Sequence, residues 1–156
     1  QATVRIPGDR KAMGGAIALD YPTEGYTNHL VTNGVRFSSN TAQSRTGPAG
    51  GGAIAHNATT FTDNSSTFSG NSARSGHFSG SAYGGALLLD QITTLNGTTV
   101  TFNTALANQG YGGGVAVPPG PDSLTVALTR IRFNRASTGG DDLWWPPTSA
   151  ESGVGA

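Results

Sequence analysis

Gly51-Gly52-Ala53-Ile54 is a glycine pair running into an aliphatic strand. The same run stands at Gly14-Gly15-Ala16-Ile17 and Gly84-Gly85-Ala86-Leu87, with a degenerate copy at Gly112-Gly113-Gly114-Val115. Between the copies lies a second motif: Phe37-Ser38-Ser39-Asn40-Thr41-Ala42, Phe68-Ser69-Gly70-Asn71-Ser72-Ala73, Val100-Thr101-Phe102-Asn103-Thr104-Ala105 and Ile131-Arg132-Phe133-Asn134-Arg135-Ala136. The two motifs alternate four times, so the chain is a stack of repeats. A unit of this size cannot bury its apolar face alone and must lie on a neighbour.

The glycine pairs begin at 14, 51, 84 and 112, and a last pair, Gly139-Gly140, opens the tail. Unequal spacing around a fixed strand motif predicts a solenoid whose insertions are confined to one corner of each coil. Within each unit a compact strand follows the glycines, as in Ala16-Ile17-Ala18-Leu19 and Ala86-Leu87-Leu88-Leu89. Its alternation puts Ile17 and Leu19 on one face and the small alanines on the other. Further strands are expected at Leu30-Val31 and over 97–102, and the segment from Leu124 to Phe133 alternates over five apolar positions. The expected fold is all-β, a right-handed parallel β-helix of about four irregular coils. An N-terminal extension covers 1–13, the repeats 14–140 and a tail 141–156.

Asn40, Asn71, Asn103 and Asn134 each stand two residues before an alanine. In a parallel stack such residues lie one above another at about 4.8 Å, so their amides are expected to form an internal ladder at a bend. Four coils at that rise make a stub only about 20 Å tall, with open strand edges at both ends.

Composition narrows the function. The 156 residues hold 24 glycines, 8 prolines, no cysteine and only 12% charged residues, with a formal net charge of zero. With cations and carboxylates balanced, no basic stripe of the kind nucleic acids require is expected, no disulfide is possible, and no segment reaches the ~20 apolar residues of a membrane span. A chain opening at Gln1 is expected to have lost a signal peptide, or to be a fragment of a longer passenger. Low charge and abundant hydroxyl and amide side chains favour an extracellular or cell-surface location.

The alternation of Gly-Gly-Ala-Ile with Phe-x-x-Asn resembles the repeats of polymorphic outer-membrane proteins of the chlamydial type and related autotransporter passenger domains. The residues carrying the resemblance are Gly14 to Ile17 with Phe37 to Asn40, Gly51 to Ile54 with Phe68 to Asn71, and Gly84 to Leu87. In the third and fourth units Phe102 and Phe133 directly precede the Asn, a departure from the pattern. The resemblance implies right-handed parallel β-helices with a surface-exposed adhesive or structural role, and it brings no catalytic residues.

An enzymatic site on such a fold needs two or three carboxylates on one face. The candidates are Asp20 and Asp90 at the ends of equivalent strands, with Asn57 at the matching place between them. They are expected ~9.6 Å apart, but residues of this type also end strands simply because they cap turns. His29, His56 and His77 fall in different repeat phases, so no metal or cofactor is expected. Asn57, Asn64 and Asn96 open Asn-x-Ser/Thr sequons and are candidate glycosylation sites. The leading expectation is a secreted structural protein that polymerises head to tail. Val4 and Ile6 at one end, and Leu143, Trp144 and Trp145 at the other, would complete the neighbour's β-edges. The alternatives are a monomeric adhesin module, with glycans or host surfaces as partners, and a polysaccharide-active enzyme.

Overall fold

The structure, a computed structural model, describes residues 3–6, 11–19, 28–57, 60–76, 78–119 and 123–146. Each turn of the chain lays down five short strands. The first turn is β1 (Thr3–Ile6), β2 (Ala12–Met13), β3 (Ile17–Leu19), β4 (His29–Asn33) and β5 (Arg36–Ser38). The second is β6 (Thr41–Ser44), β7 (Ala49–Gly50), β8 (Ile54–His56), β9 (Thr60–Asn64) and β10 (Thr67–Ser69). The third is β11 (Ser72–Ser75), β12 (Ser81–Tyr83), β13 (Leu87–Leu89), β14 (Ile92–Asn96) and β15 (Thr99–Thr101). The fourth is β16 (Thr104–Leu106), β17 (Gln109–Tyr111), β18 (Val115–Ala116), β19 (Leu124–Ala127) and β20 (Arg130–Arg132), after which β21 (Arg135–Ala136) and β22 (Leu143–Trp144) begin a fifth level. Equivalent strands pair in parallel into five sheets, numbered here in the order of β1 to β5. The molecule is an all-β parallel solenoid of about four turns, without a helix among the described residues.

Register explains the motifs. The residue after Gly-Gly-Ala forms a column in sheet 3, with Ile17 on Ile54, Ile54 on Leu87, Leu87 on Val115 and Val115 on Leu143. The motif alanines Ala42, Ala73, Ala105 and Ala136 form one in sheet 1. Phe37 and Phe68 stack in sheet 5 with ring centroids 4.8 Å apart and planes 4° from parallel. Val100 and Ile131 continue that column. The aromatic of the third and fourth units is therefore replaced by an aliphatic residue, and Phe102 and Phe133 belong to a different column outside the core. The buried centre joins these lines: Ile54, Leu87, Val115, Phe61, Phe68, Leu95 and Val100 are in one cluster.

Three expectations change. Insertions fall at two corners instead of one, since the connections from sheet 1 to sheet 2 vary in length as well as those from sheet 3 to sheet 4. The stretch from Leu124 to Phe133 is not one strand: it breaks at Leu128, whose φ of 51° turns the chain between β19 and β20. Gly34, Ser65 and Gly97 make the same left-handed turn one level apart, so the register of the stack imposes a corner that local alternation hides. The solenoid also takes in β1 and β22, which motif spacing alone assigns to an extension and a tail.

The glycine pair does two separate jobs. The first member, Gly14, Gly51, Gly84 or Gly112, has φ near 60° and turns the chain into sheet 3, a conformation that costs other residues. The second, Gly15, Gly52, Gly85 or Gly113, sits where the next turn crosses closest. A methyl group on Gly85 would overlap the Gly113 carbonyl oxygen and the Thr104 backbone, neither of which can yield. Gly85→Ala is therefore expected to cost about 3 kcal/mol or more of folding stability. Denaturant unfolding measures this, and a loss below about 1 kcal/mol would show that the turns are not in close contact there.

Candidate functional site

The Asn column runs through the corner between sheets 5 and 1. Asn40 donates through its backbone N–H and its Nδ2 to Asn71 Oδ1, at 3.0 and 2.9 Å. Asn71 does the same to Asn103, and Asn103 to Asn134, at 2.8 to 2.9 Å. The amides also donate to the carbonyl oxygens of Phe37, Phe68 and Val100 one turn back. All four residues are buried, so each bond satisfies a corner group that water cannot reach.

Above Asn134 no asparagine follows. Asp142 Oδ1 takes its place, accepting from Asn134 N–H at 3.0 Å and from Nδ2 at 2.9 Å. Asp141 Oδ1 accepts the backbone N–H of Ala136, a group on the open edge of β21, at 2.8 Å. These two residues sit in a fifth copy of the repeat, Gly140-Asp141-Asp142-Leu143, whose first glycine keeps φ 64° and whose Leu143 pairs with Val115. Asp141 stands in the column where a side chain would collide with an overlying turn. Sequence reasoning saw a last glycine pair but missed the cap, whose signal is the change from Gly-Ala to Asp-Asp.

The residues proposed for chemistry are placed differently. Asp20 and His77 lie outside the described residues. Asp90 is partly buried at the end of β13, with its backbone N–H on the His56 carbonyl at 2.9 Å. Among the described residues the most buried carboxylate is one the sequence did not flag, Asp63, which is fully enclosed and accepts 2.5 Å hydrogen bonds from the Thr32 and Thr98 hydroxyls. With Ser66 N–H also bonded to it, Asp63 ties three successive turns together. Its signal was positional only: it shares a column with Thr32 and Leu95. Among the described residues no group of three His, Asp or Glu side chains is placed to hold a metal ion.

Of the sequons, Asn64 donates to Asn33 Oδ1 at 2.9 Å, Asn57 has a buried, unpaired amide oxygen, and Asn96 is exposed. The terminal segments expected to dock on a neighbour are engaged within the chain. Val4 and Ile6 lie in β1, in register with Ala42 and Ser44 of β6. Leu143 continues the inward column of sheet 3, and Trp144 stacks on Tyr111 at 4.8 Å and lies 5.6 Å from Tyr83. With Leu88 and Met13 these aromatics fill an apolar seam outside the core, between sheets 2 and 3. Trp145 is 45% exposed.

Large apolar side chains stand in solvent at two corners of the last turns. Leu128 is 90% exposed, Phe102 65% and Phe133 62%. All three have positive φ, 51°, 57° and 60°. In the column of the two phenylalanines the earlier turns carry Ser39 and Gly70, and in that of Leu128 they carry Gly34, Ser65 and Gly97. A bulky residue in this conformation costs on the order of 1 kcal/mol, and here burial offsets little of it. The rings of Phe102 and Phe133 stack at 5.6 Å, and the Arg132 guanidinium lies 5.0 Å from the Phe133 centroid.

No protein-family model matches this chain, and no curated protein or solved structure shows significant similarity to it.

His56 is a titratable group set deep in the stack. It points into the core between Leu19 and Leu89, beside the Phe61 ring, and neither ring nitrogen has a hydrogen-bond partner. Burial lowers its pKa, against a weaker pull upward from the Thr60 backbone. The folded chain thus holds His56 neutral while the unfolded chain protonates it near pH 6.5, so stability is complete above that pH and falls as pH drops below it. His56→Leu, which extends the leucines of the same column, is expected to raise Tm and flatten its dependence between about pH 7 and 5. An unchanged slope in thermal scans would refute this account.

Proposed function

We propose that this chain is a structural or adhesive module of an extracellular or cell surface, which works by contact and not by turnover. The observation carrying this reading is apolar surface that folding does not use: Leu128, Phe102 and Phe133 stand in solvent on backbone conformations that favour glycine. Residues kept at such a cost are expected to serve a partner. An extracellular location accords with the hydroxyl-rich, weakly charged composition, and among the three sequons glycosylation would be most accessible at Asn96. Beads coated with the chain should adhere to cell surfaces or matrix preparations more strongly than albumin-coated beads; equal adhesion would sink the reading.

Head-to-tail polymerisation is the second reading. It is favoured by the outer edges of β4 and β5 at one end and of β19 and β20 at the other, which pair with no strand among the described residues, and by inward-facing Val126, which is 46% exposed. A contact of that kind does not close and would generate a filament. Two features weigh against it: the Asp141–Asp142 cap, and the register of sheet 5, which would set Arg130 against Arg36 of the next copy. Electron microscopy of the concentrated chain separates the modes. Dispersed particles are expected, and Asp141→Gly with Asp142→Ala, which restores the repeat, should shift the population toward end-to-end chains. Fibres of the unaltered chain with an axial repeat near 20 Å, the height of the stack, would establish the filament instead.

A further inference from the structure

The strands of sheets 1 and 5 carry six of the chain's nine cations, Arg5, Arg36, Arg74, Arg130, Arg132 and Arg135, and none of its nine carboxylates. A chain of zero net charge is therefore strongly sorted, and the two basic sheets meet at the corner that bears Phe102 and Phe133. Arg130, Arg132 and Arg135 are exposed on the last turn, and none of their guanidinium groups makes a hydrogen bond or ion pair among the described residues. Asp141 and Asp142 of the next level are held on Ala136 and Asn134.

The ridge has an open position. Below Phe102 in the same column lies Gly70, where an added methyl group would meet only the Ser39 hydroxyl, at 3.7 Å. The face of the Phe102 ring turned away from Phe133 thus has no side chain directly beneath it. A flat ring entering there would extend the stack of Phe133 and Phe102 by one step. The outward positions of the adjoining strands bear the part-exposed hydroxyls of Thr67, Ser69 and Thr99, and Arg74 in β11, the strand that follows Gly70, is held by a 2.8 Å bond to Ser72 of the same strand.

We infer that this corner binds an anionic polysaccharide, one sugar ring stacking on Phe102 above Gly70 and the carboxylate or sulfate groups of the chain meeting the arginines. The proposal rests on the surface-contact reading and specifies its ligand. Three features converge on that class. Unpaired arginines select anions and suit the planar fork of a carboxylate or sulfate. An aromatic face beside hydroxyls matches a sugar ring, which is apolar on its faces and polar at its rim. A line of repeated levels along the stack matches a linear polymer. A lipid surface fits less well, because docking against it would strip water from the hydroxyls between the corners without replacing their hydrogen bonds.

The test measures binding of the purified chain to immobilised polygalacturonate and dextran sulfate, with neutral dextran and phosphatidylglycerol vesicles as comparisons. Retention on a polyanion and none on neutral dextran are expected. Phe102→Gly gives the column the residue already present at Gly70, so it should keep or raise Tm while weakening binding roughly five- to tenfold, the scale of one aromatic contact. Arg132→Gln with Arg135→Gln should abolish retention, and Lys11→Gln should leave it intact. Absence of binding to either polyanion, binding indifferent to Phe102→Gly, or preferential binding to the vesicles would each overturn the inference. If coated beads still adhere to cell surfaces in any of those cases, the contact reading stands without this ligand; if adhesion is absent as well, both fail.

Discussion

The distance between one turn and the next, set by parallel backbone hydrogen bonding at about 4.8 Å, governs everything else in this molecule. It leaves no room for a Cβ at Gly15, Gly52, Gly85 and Gly113, where successive turns cross. It brings the Phe37 and Phe68 rings to 4.8 Å, and it places each corner asparagine within reach of the next. A stack so constrained gains stability from nearest neighbours only, so each column must be completed or terminated at its ends. The chain has different devices for different columns: a tryptophan over the seam between sheets 2 and 3, and two carboxylates over the asparagines and the edge of β21.

Much of this was legible because columns are written into sequence as repetition. The glycine pair, the aliphatic residue behind it and the asparagine recur with the same neighbours, so sheet 3 and the sheet 5 to sheet 1 corner could be placed from residues alone. What escaped was set by tertiary register. From Leu124 to Phe133 the residues alternate like one strand, yet a corner passes through Leu128 because Gly34, Ser65 and Gly97 turn there in the levels below. Phe102 and Phe133 resemble the motif phenylalanine but occupy the turn beside it, outside the core. Asp63 has no motif at all; only three superposed turns reveal that two threonines from different levels converge on it.

The candidate site was less legible than the fold for a related reason. A catalytic constellation announces itself by residue type, whereas a contact surface is a matter of which ordinary residues are left outside. Arginines spread from position 5 to 135 give no hint in one dimension that they share two adjoining sheets. Folding sorts them, and the neutral chain becomes a body with one basic corner.

The asparagine ladder has a sense of direction. Each rung sends its backbone N–H and an Nδ2 hydrogen toward the later turns, from Asn40 to Asn134, and from Asn71 onward returns only one Nδ2 bond to the turn before, so the bond dipoles retain a net sense along the stack, and its donating pole emerges where the Asp142 carboxylate sits. An anion belongs at that pole and would be repelled at the other. The two ends of the solenoid are thus electrically inequivalent, and two copies meeting by a twofold axis at their capped ends would oppose both their dipoles and their carboxylates. Any partner that continues the stack must approach with the same polarity, which makes the molecule a vector as well as a scaffold.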